Sequence, residues 1–186
     1  MPRQGAIDFR MFKPLALYGF LALILPDHGP LPQMFHDLQT AQSEEAAGKI
    51  ANDIWDSWLE SGSDTADLIM QRAISAQAGR DLDQARALYD HVIAIQPDYA
   101  EVWARRASLF LSQHNYNAAL RDVNEALRLE PRHFGAWAGL GSVLENLGAE
   151  DAALIAYQRA IEIYPLYTSA KQGIARLRQA REGRPV

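Results

Sequence analysis

Five histidines, His28, His36, His91, His114 and His133, have the widest chemical range in this chain, since imidazole can move protons or bind a metal. No two stand four apart on one helical face, the spacing of a zinc pair, so no metal site is expected. There is no cysteine, which excludes disulfides, thiolate metal sites and thiol catalysis. Ser142 lies in GLGSVL, which lacks the G-x-S-x-G elbow and a placed histidine. Gly139-Leu140-Gly141 falls inside a helical stretch rather than in a phosphate-cradling loop. The sequence therefore reads as non-catalytic and without a cofactor, and the chemistry left to it is recognition. Arg72 and Arg106, in QRA and RRA, occupy equivalent places on two helices. Arg106 is placed to reach Asp122 on the next helix; alternatively, both arginines point into a groove and hold a carboxylate.

The elements that position these residues repeat. Pro97, Pro131 and Pro165 are spaced by 34 residues, as are Ala85, Ala119 and Ala153, and Trp103 and Trp137. Such a period is the signature of a solenoid. Residues 66–99, 100–133 and 134–167 each read as two amphipathic helices joined by a turn, at Gly79-Arg80-Asp81, at Gln113-His114-Asn115 and at Gly148. Small residues, Ala73, Ala107 and Gly141 in the first helix and Ala85, Ala119 and Ala153 in the second, recur where two axes must approach closely. Trp103, Trp137, Tyr89, Val123, Tyr157, Ile95, Leu129 and Ile163 fill the spaces between. Residues 168–186 continue the register for one helix, whose Lys171, Arg176, Arg178 and Arg181 suit a solvated cap.

Upstream, residues 43–65 read as a degenerate repeat helix, capped by Ser43 and carrying Ala51, Trp55 and Trp58 at positions 34 before Ala85, Tyr89 and Val92. Trp55 and Trp58 are expected to cover the open end of the solenoid. Residues 27–42 read as a proline-punctuated linker and short helix. Residues 1–26 place Arg3, Arg10 and Lys13 before an apolar run from Leu15 to Leu25, too short to span a bilayer but of the length of a secretory signal's apolar region. Met11 is a second possible start, and a small-x-small cleavage site is missing. The expectation is an exported, periplasmic protein, with a membrane tether through residues 14–26 or a cytoplasmic protein with a packed N-terminal helix as alternatives.

Charge narrows the partners. The whole chain carries −5, residues 1–26 carry +2 and residues 168–186 carry +4, so the body between them carries −11. An acidic body repels phosphate backbones, and nucleic acid is not an expected partner.

Trp137, Leu140, Gly141, Ala153, Tyr157, Ala160 and Pro165 resemble the tetratricopeptide repeat, and Trp103, Ala107, Phe110, Ala119, Ala126 and Pro131 match it in the preceding unit. With its signal-like start, the chain resembles small exported bacterial members of that family. The resemblance implies an all-α, right-handed solenoid of antiparallel helix pairs with a capping helix. It also implies that the first helices line a concave face through Asp67, Met70, Ile74, Gln77 and Ala78; Glu101, Ala104, Ser108, Leu111 and Ser112; Gly135, Ala138, Ser142, Glu145 and Asn146. None of these is Lys or Arg, so capture of a chaperone's C-terminal carboxylate is not expected. The groove instead reads as mildly apolar through Met70, Ile74 and Leu111 with acids at its lip, suited to a peptide or partner protein with apolar anchors and some basic character. The alternatives are an assembly subunit self-associating through solenoid ends, with Trp55 and Trp58 as the adhesive edge, and a membrane-tethered assembly factor.

Overall fold

The computed structural model describes residues 30–182, which form nine helices and no strand among the described residues. They are α1 (Leu31–Thr40), α2 (Glu44–Leu59), α3 (Asp64–Ala78), α4 (Leu82–Ile95), α5 (Ala100–Ser112), α6 (Tyr116–Leu129), α7 (Phe134–Asn146), α8 (Glu150–Ile163) and α9 (Thr168–Glu182). The signal-like segment lies outside the described residues.

Local chemistry sets the helix ends. Ser43, Ser63, Asp81, Asn115 and His133 each accept a hydrogen bond from the backbone N–H three residues on, satisfying a donor that the first turn leaves open. The turns inside the three repeats share one backbone feature. Arg80 (φ 65°), His114 (φ 59°) and Gly148 (φ 75°), spaced by 34, all adopt the left-handed conformation, whereas Gly79 (φ −75°) does not. Only at Gly148 is that conformation free of a Cβ clash. Arg80→Gly should therefore raise stability by about 1 kcal/mol, read as a higher urea midpoint with an unchanged slope.

The all-α solenoid expected from the period is what the chain forms. Pairs α3–α4, α5–α6 and α7–α8 stack in order, α9 closes the series against α7 and α8, and α5 and α7 touch directly. Ala73, Ala107, Gly141, Ala85, Ala119 and Ala153 are buried where helices cross. In two repeats a half-buried tryptophan pins the inter-repeat turn: Trp103 Nε1 donates to the Pro97 carbonyl at 2.8 Å, and Trp137 Nε1 to the Pro131 carbonyl at 2.9 Å. Tyr157 lies between two glycines, and a Cβ on Gly141 or Gly173 would sit 2.6 or 2.4 Å from its ring.

The pair α1–α2 departs from the expected stacking. Instead of extending the array beyond α3, it folds back over the turns that join the repeats, with α2 against α5 and α1 against α8. Gln39 Nε2 donates to the Glu162 carbonyl, 123 residues away. Phe35, Leu38, Ala51, Ile54 and Trp58 share a core with Phe134 and Tyr164. Trp55 rests on Gly135, where a Cβ would come within 2.8 Å of its ring, and meets Phe134 edge-on at 4.5 Å. Trp58 stacks on His133 at 4.2 Å. The two tryptophans thus clasp the third repeat rather than covering the solenoid's first end, and Trp58 is buried, which removes the adhesive edge expected for self-association. At that first end Ile95, expected to be packed, is 46% exposed, while its counterpart Ile163 is covered by the α1–α2 hairpin.

Candidate partner-binding site

The first helices α3, α5 and α7 form one face, and a cavity of about 310 Å³ opens on it between the second and third repeats. Its floor is small or apolar, with Ala104, Ala107, Leu111, Val123, Ala136, Gly139 and Val143, and Gln77, Arg105 and Ser108 add polar groups. Trp55 and Tyr167 stand at one side, so the hairpin supplies part of the wall. Ser108 is exposed at the rim.

A buried polar group supports this wall. Glu101, 2% exposed, accepts from Arg105 Nε at 2.6 Å through one oxygen and bonds His133 Nε2 at 2.8 Å through the other. His133 Nδ1 accepts the Ala136 N–H at 3.1 Å, so the ring proton sits on Nε2 and points at Glu101. Every buried polar atom in the group is thereby paired, as low dielectric demands. Arg105 Nη1 and Nη2 keep no hydrogen-bond partner among the described residues.

Two other inner-face residues hold tyrosines. Tyr89 donates to Gln77 at 2.7 Å and Tyr157 to Glu145 at 2.7 Å, again in equivalent places. Burial pushes the phenols of Tyr89 and Tyr167 up to about 12, so Tyr89 stays a donor to Gln77 well into alkaline pH. Burial would raise the Glu145 carboxyl, but hydrogen bonds from Arg176 and Tyr157 and the Arg176 charge outweigh it and hold the carboxyl below its ordinary range. A carboxyl depressed on folding adds stability above its unfolded value of about 4.3, and that stability is lost as pH falls through the folded value. Glu145→Gln should accordingly flatten the acid limb of a stability–pH curve below about pH 4.3.

The structure sorts the expected groove residues. Gln77, Glu101, Ala104, Ser108, Leu111 and Gly135 line the cavity. Met70 is withdrawn into the core of the first repeat, and Ile74 lies half-buried beside it; neither lines the cavity. Asp67 is occupied by the Ser61 N–H at 2.9 Å, Glu145 by Arg176 and Tyr157, and Asn146 by the Tyr116 hydroxyl at 3.1 Å. Ser142 is half-buried, with its carbonyl accepting from Asn146; Ala138 is buried, and Ala78 and Ser112 lie exposed at helix ends. The acids expected at the lip are thus paired. Arg105, Trp55, His133 and Tyr167 were not among the expected residues. A sequence signal for Arg105 did exist, since Gly139 and Gly173 follow it at intervals of 34 and mark that position as one that faces a neighbouring helix. Arg106, by contrast, pairs with Asp122 as the spacing suggested, at 2.7 and 2.9 Å.

Comparison with known proteins fits this geometry. The tetratricopeptide repeat profile matches residues 105–168. A TPR repeat-containing protein of Rhizobium etli is 37% identical over 153 residues, covering 82% of this chain and 75% of that protein. Heat shock protein STI1 of Saccharomyces cerevisiae is 29% identical over 65% of this chain, which spans only 21% of STI1. Among solved structures, the Arabidopsis OM64 TPR domain superposes with a TM-score of 0.61 at 21% identity, over 66% of this chain and 98% of that domain. The first TPR of Spaghetti (RPAP3), bound to the HSP90 peptide SRMEEVD, does so with 0.61 at 20% identity, over 63% and 94%. At such identities the likeness is one of fold.

Proposed function

The chain belongs to the tetratricopeptide repeat family, and we propose from that premise that it is a non-catalytic interaction module whose first-helix face holds a peptide segment of a partner protein. The observation that carries the reading is the cavity between the second and third repeats, which is lined by small, apolar and hydrogen-bonding groups and reached past the exposed Ser108. A structural neighbour that holds a peptide supports the ligand class.

Ser108→Arg places a bulky charge at the rim without touching the core. It should abolish binding of a purified partner, with the helical circular dichroism unchanged. Ile155→Arg, on the 59%-exposed side of α8, should leave binding intact. If Ile155→Arg lost the partner while Ser108→Arg kept it, the second-helix face would be the working one.

Export is part of the proposal. A basic start followed by the apolar run from Leu15 to Leu25 has the order of a secretory signal. Mass spectrometry of the native protein should find an N-terminus beyond Pro26, and a retained start would favour a tether or a cytoplasmic protein.

A further inference from the structure

The cavity exists because one ring is missing from a repeating pattern. In the third repeat Tyr157 fills the space between Gly141 and Gly173, with its hydroxyl on Glu145. Thirty-four residues earlier these positions are Ala107, Gly139 and Leu111, and all three line the cavity. The residue between them is Val123, not tyrosine. In the first repeat the same column holds Tyr89, with its hydroxyl on Gln77. The middle repeat therefore keeps a glycine that makes room for an aromatic ring and lacks the ring: a Cβ on Gly139 would meet only Val123, at 3.9 Å. The position that bonds the hydroxyl in the other two repeats is apolar here, Leu111.

We propose that this cavity takes an aromatic side chain of the partner, in the place where Tyr89 and Tyr157 lie in the flanking repeats; the inference rests on the first-helix face being the binding face. A phenyl ring would lie on Gly139 against Val123 and Leu111 and face Trp55 and Tyr167 at the side of the cavity, the kind of neighbours that receive a ring edge-on. Arg105 Nη1 and Nη2, the donors left over from its bond to Glu101, reach the peptide's main-chain carbonyls. The charge of −11 between residues 27 and 167 favours basic residues beside the ring over acidic ones.

Three capped peptides test this on the full chain: acetyl-Gly-Lys-Phe-Gly-Lys-Gly-amide, its Phe→Ala form, and a form with both lysines replaced by glutamate. The first should shift the backbone amide resonances of Gly135, Gly139 and Leu111 saturably at concentrations up to about 10 mM, the range of a single anchoring side chain. The Phe→Ala form should not, and the glutamate form should bind at least about threefold more weakly, a difference that shrinks as salt screens the charges. Val123→Tyr, the residue the chain itself uses 34 positions away on either side, should remove the response. Gly139→Val fills the same space from α7 and should do likewise if Val123→Tyr folds poorly. Absence of a saturable shift, shifts that cluster elsewhere, equal binding of the Phe→Ala form, or binding undiminished in both filled variants would overturn the aromatic anchor. So would tighter binding of the glutamate form overturn the basic flanks. The two readings separate in the partner assay: loss with Ser108→Arg but not with Val123→Tyr leaves the binding face standing and removes the anchor, whereas indifference to Ser108→Arg removes the face itself.

Discussion

Phe134→Ala is expected to lower stability by about 3–5 kcal/mol, the cost of emptying a buried aromatic site. Phe134 is fully buried, and its ring lies 4.5 Å from Trp55, 5.2 Å from Trp58, 5.3 Å from Tyr164 and 5.5 Å from Tyr167. Tyr164 and Tyr167 stack on each other at 5.1 Å, which leaves little freedom for either to collapse into the hole. The ring joins two bodies, since it starts α7 and is also the floor on which the α1–α2 hairpin sits. Against a total of about 5–15 kcal/mol, the loss is large enough to populate unfolded chains at physiological temperature. Urea unfolding followed by tryptophan fluorescence measures it, because Trp55 and Trp58 report on the contact directly. Leu68→Ala is the control: Leu68 is 54% exposed, and its loss should stay within about 0.5 kcal/mol. A cost for Phe134→Ala below about 1 kcal/mol would mean that the hairpin is not held as described.

The second large effect is expected at Asp122. Its carboxylate accepts from Arg106 Nε at 2.7 Å and from Nη2 at 2.9 Å, while Arg106 Nη1 donates to Asp90 at 2.6 Å and the guanidinium lies 5.0 Å over the Trp103 ring. The side chains of Arg106 and Asp122 are only 15% and 6% exposed. Asp122→Ala leaves a largely buried cation with Asp90 alone, and Asp90 is half in solvent. The expected cost is about 3 kcal/mol, the lower end for breaking a buried pair. Arg106→Met combined with Asp122→Leu should cost much less than the two single changes together, because apolar groups of similar size leave no orphaned charge. A double-mutant cycle without coupling would show that Arg106 is held by its other neighbours.

Residue identity made some of this plain in advance. The interval of 34 is carried by small residues that act within a helix pair and by prolines and tryptophans that act at the turn to the next, all of them contacts between segments close in sequence, and those pairs and turns formed. Arg106 and Asp122 were legible because their positions on paired helices fix how far apart they can be. The hairpin was not legible. Aligning Ala51, Trp55 and Trp58 with Ala85, Tyr89 and Val92 is a test that any amphipathic helix passes, because an apolar stripe says that a face is buried and not against what. The glycine under Trp55, Gly135, stands where the other units have Asp67, Glu101 and Ser169, and that irregularity was the trace of the contact. In the groove, Met70 was misassigned because a family position number says where a Cα sits on the helix. How far neighbouring side chains cover it depends on the particular packing. The cavity itself was written in the column Tyr89, Val123, Tyr157, where one member is too small for its surroundings.

The bond from Gln39 to the Glu162 carbonyl changes how the chain comes together. An open array of repeats has contacts only between neighbours, so its ends can fray and folding can spread outward from any unit. Here residues near the beginning are fastened to residues near the end, and that fastening cannot form until the third repeat exists. Early contacts are local and fast, whereas the closing one pairs segments separated by most of the chain and carries the loop-closure entropy that slows non-local topologies. During synthesis, the two tryptophans of α2 emerge long before the ring they settle on, so newly made chains carry an unpartnered apolar stripe until about Tyr167 has left the ribosome. The finished protein gains in return a coupling between α1–α2 and the third repeat: a hairpin that would fray by itself is steadied by the core it shares with Phe134 and Tyr164.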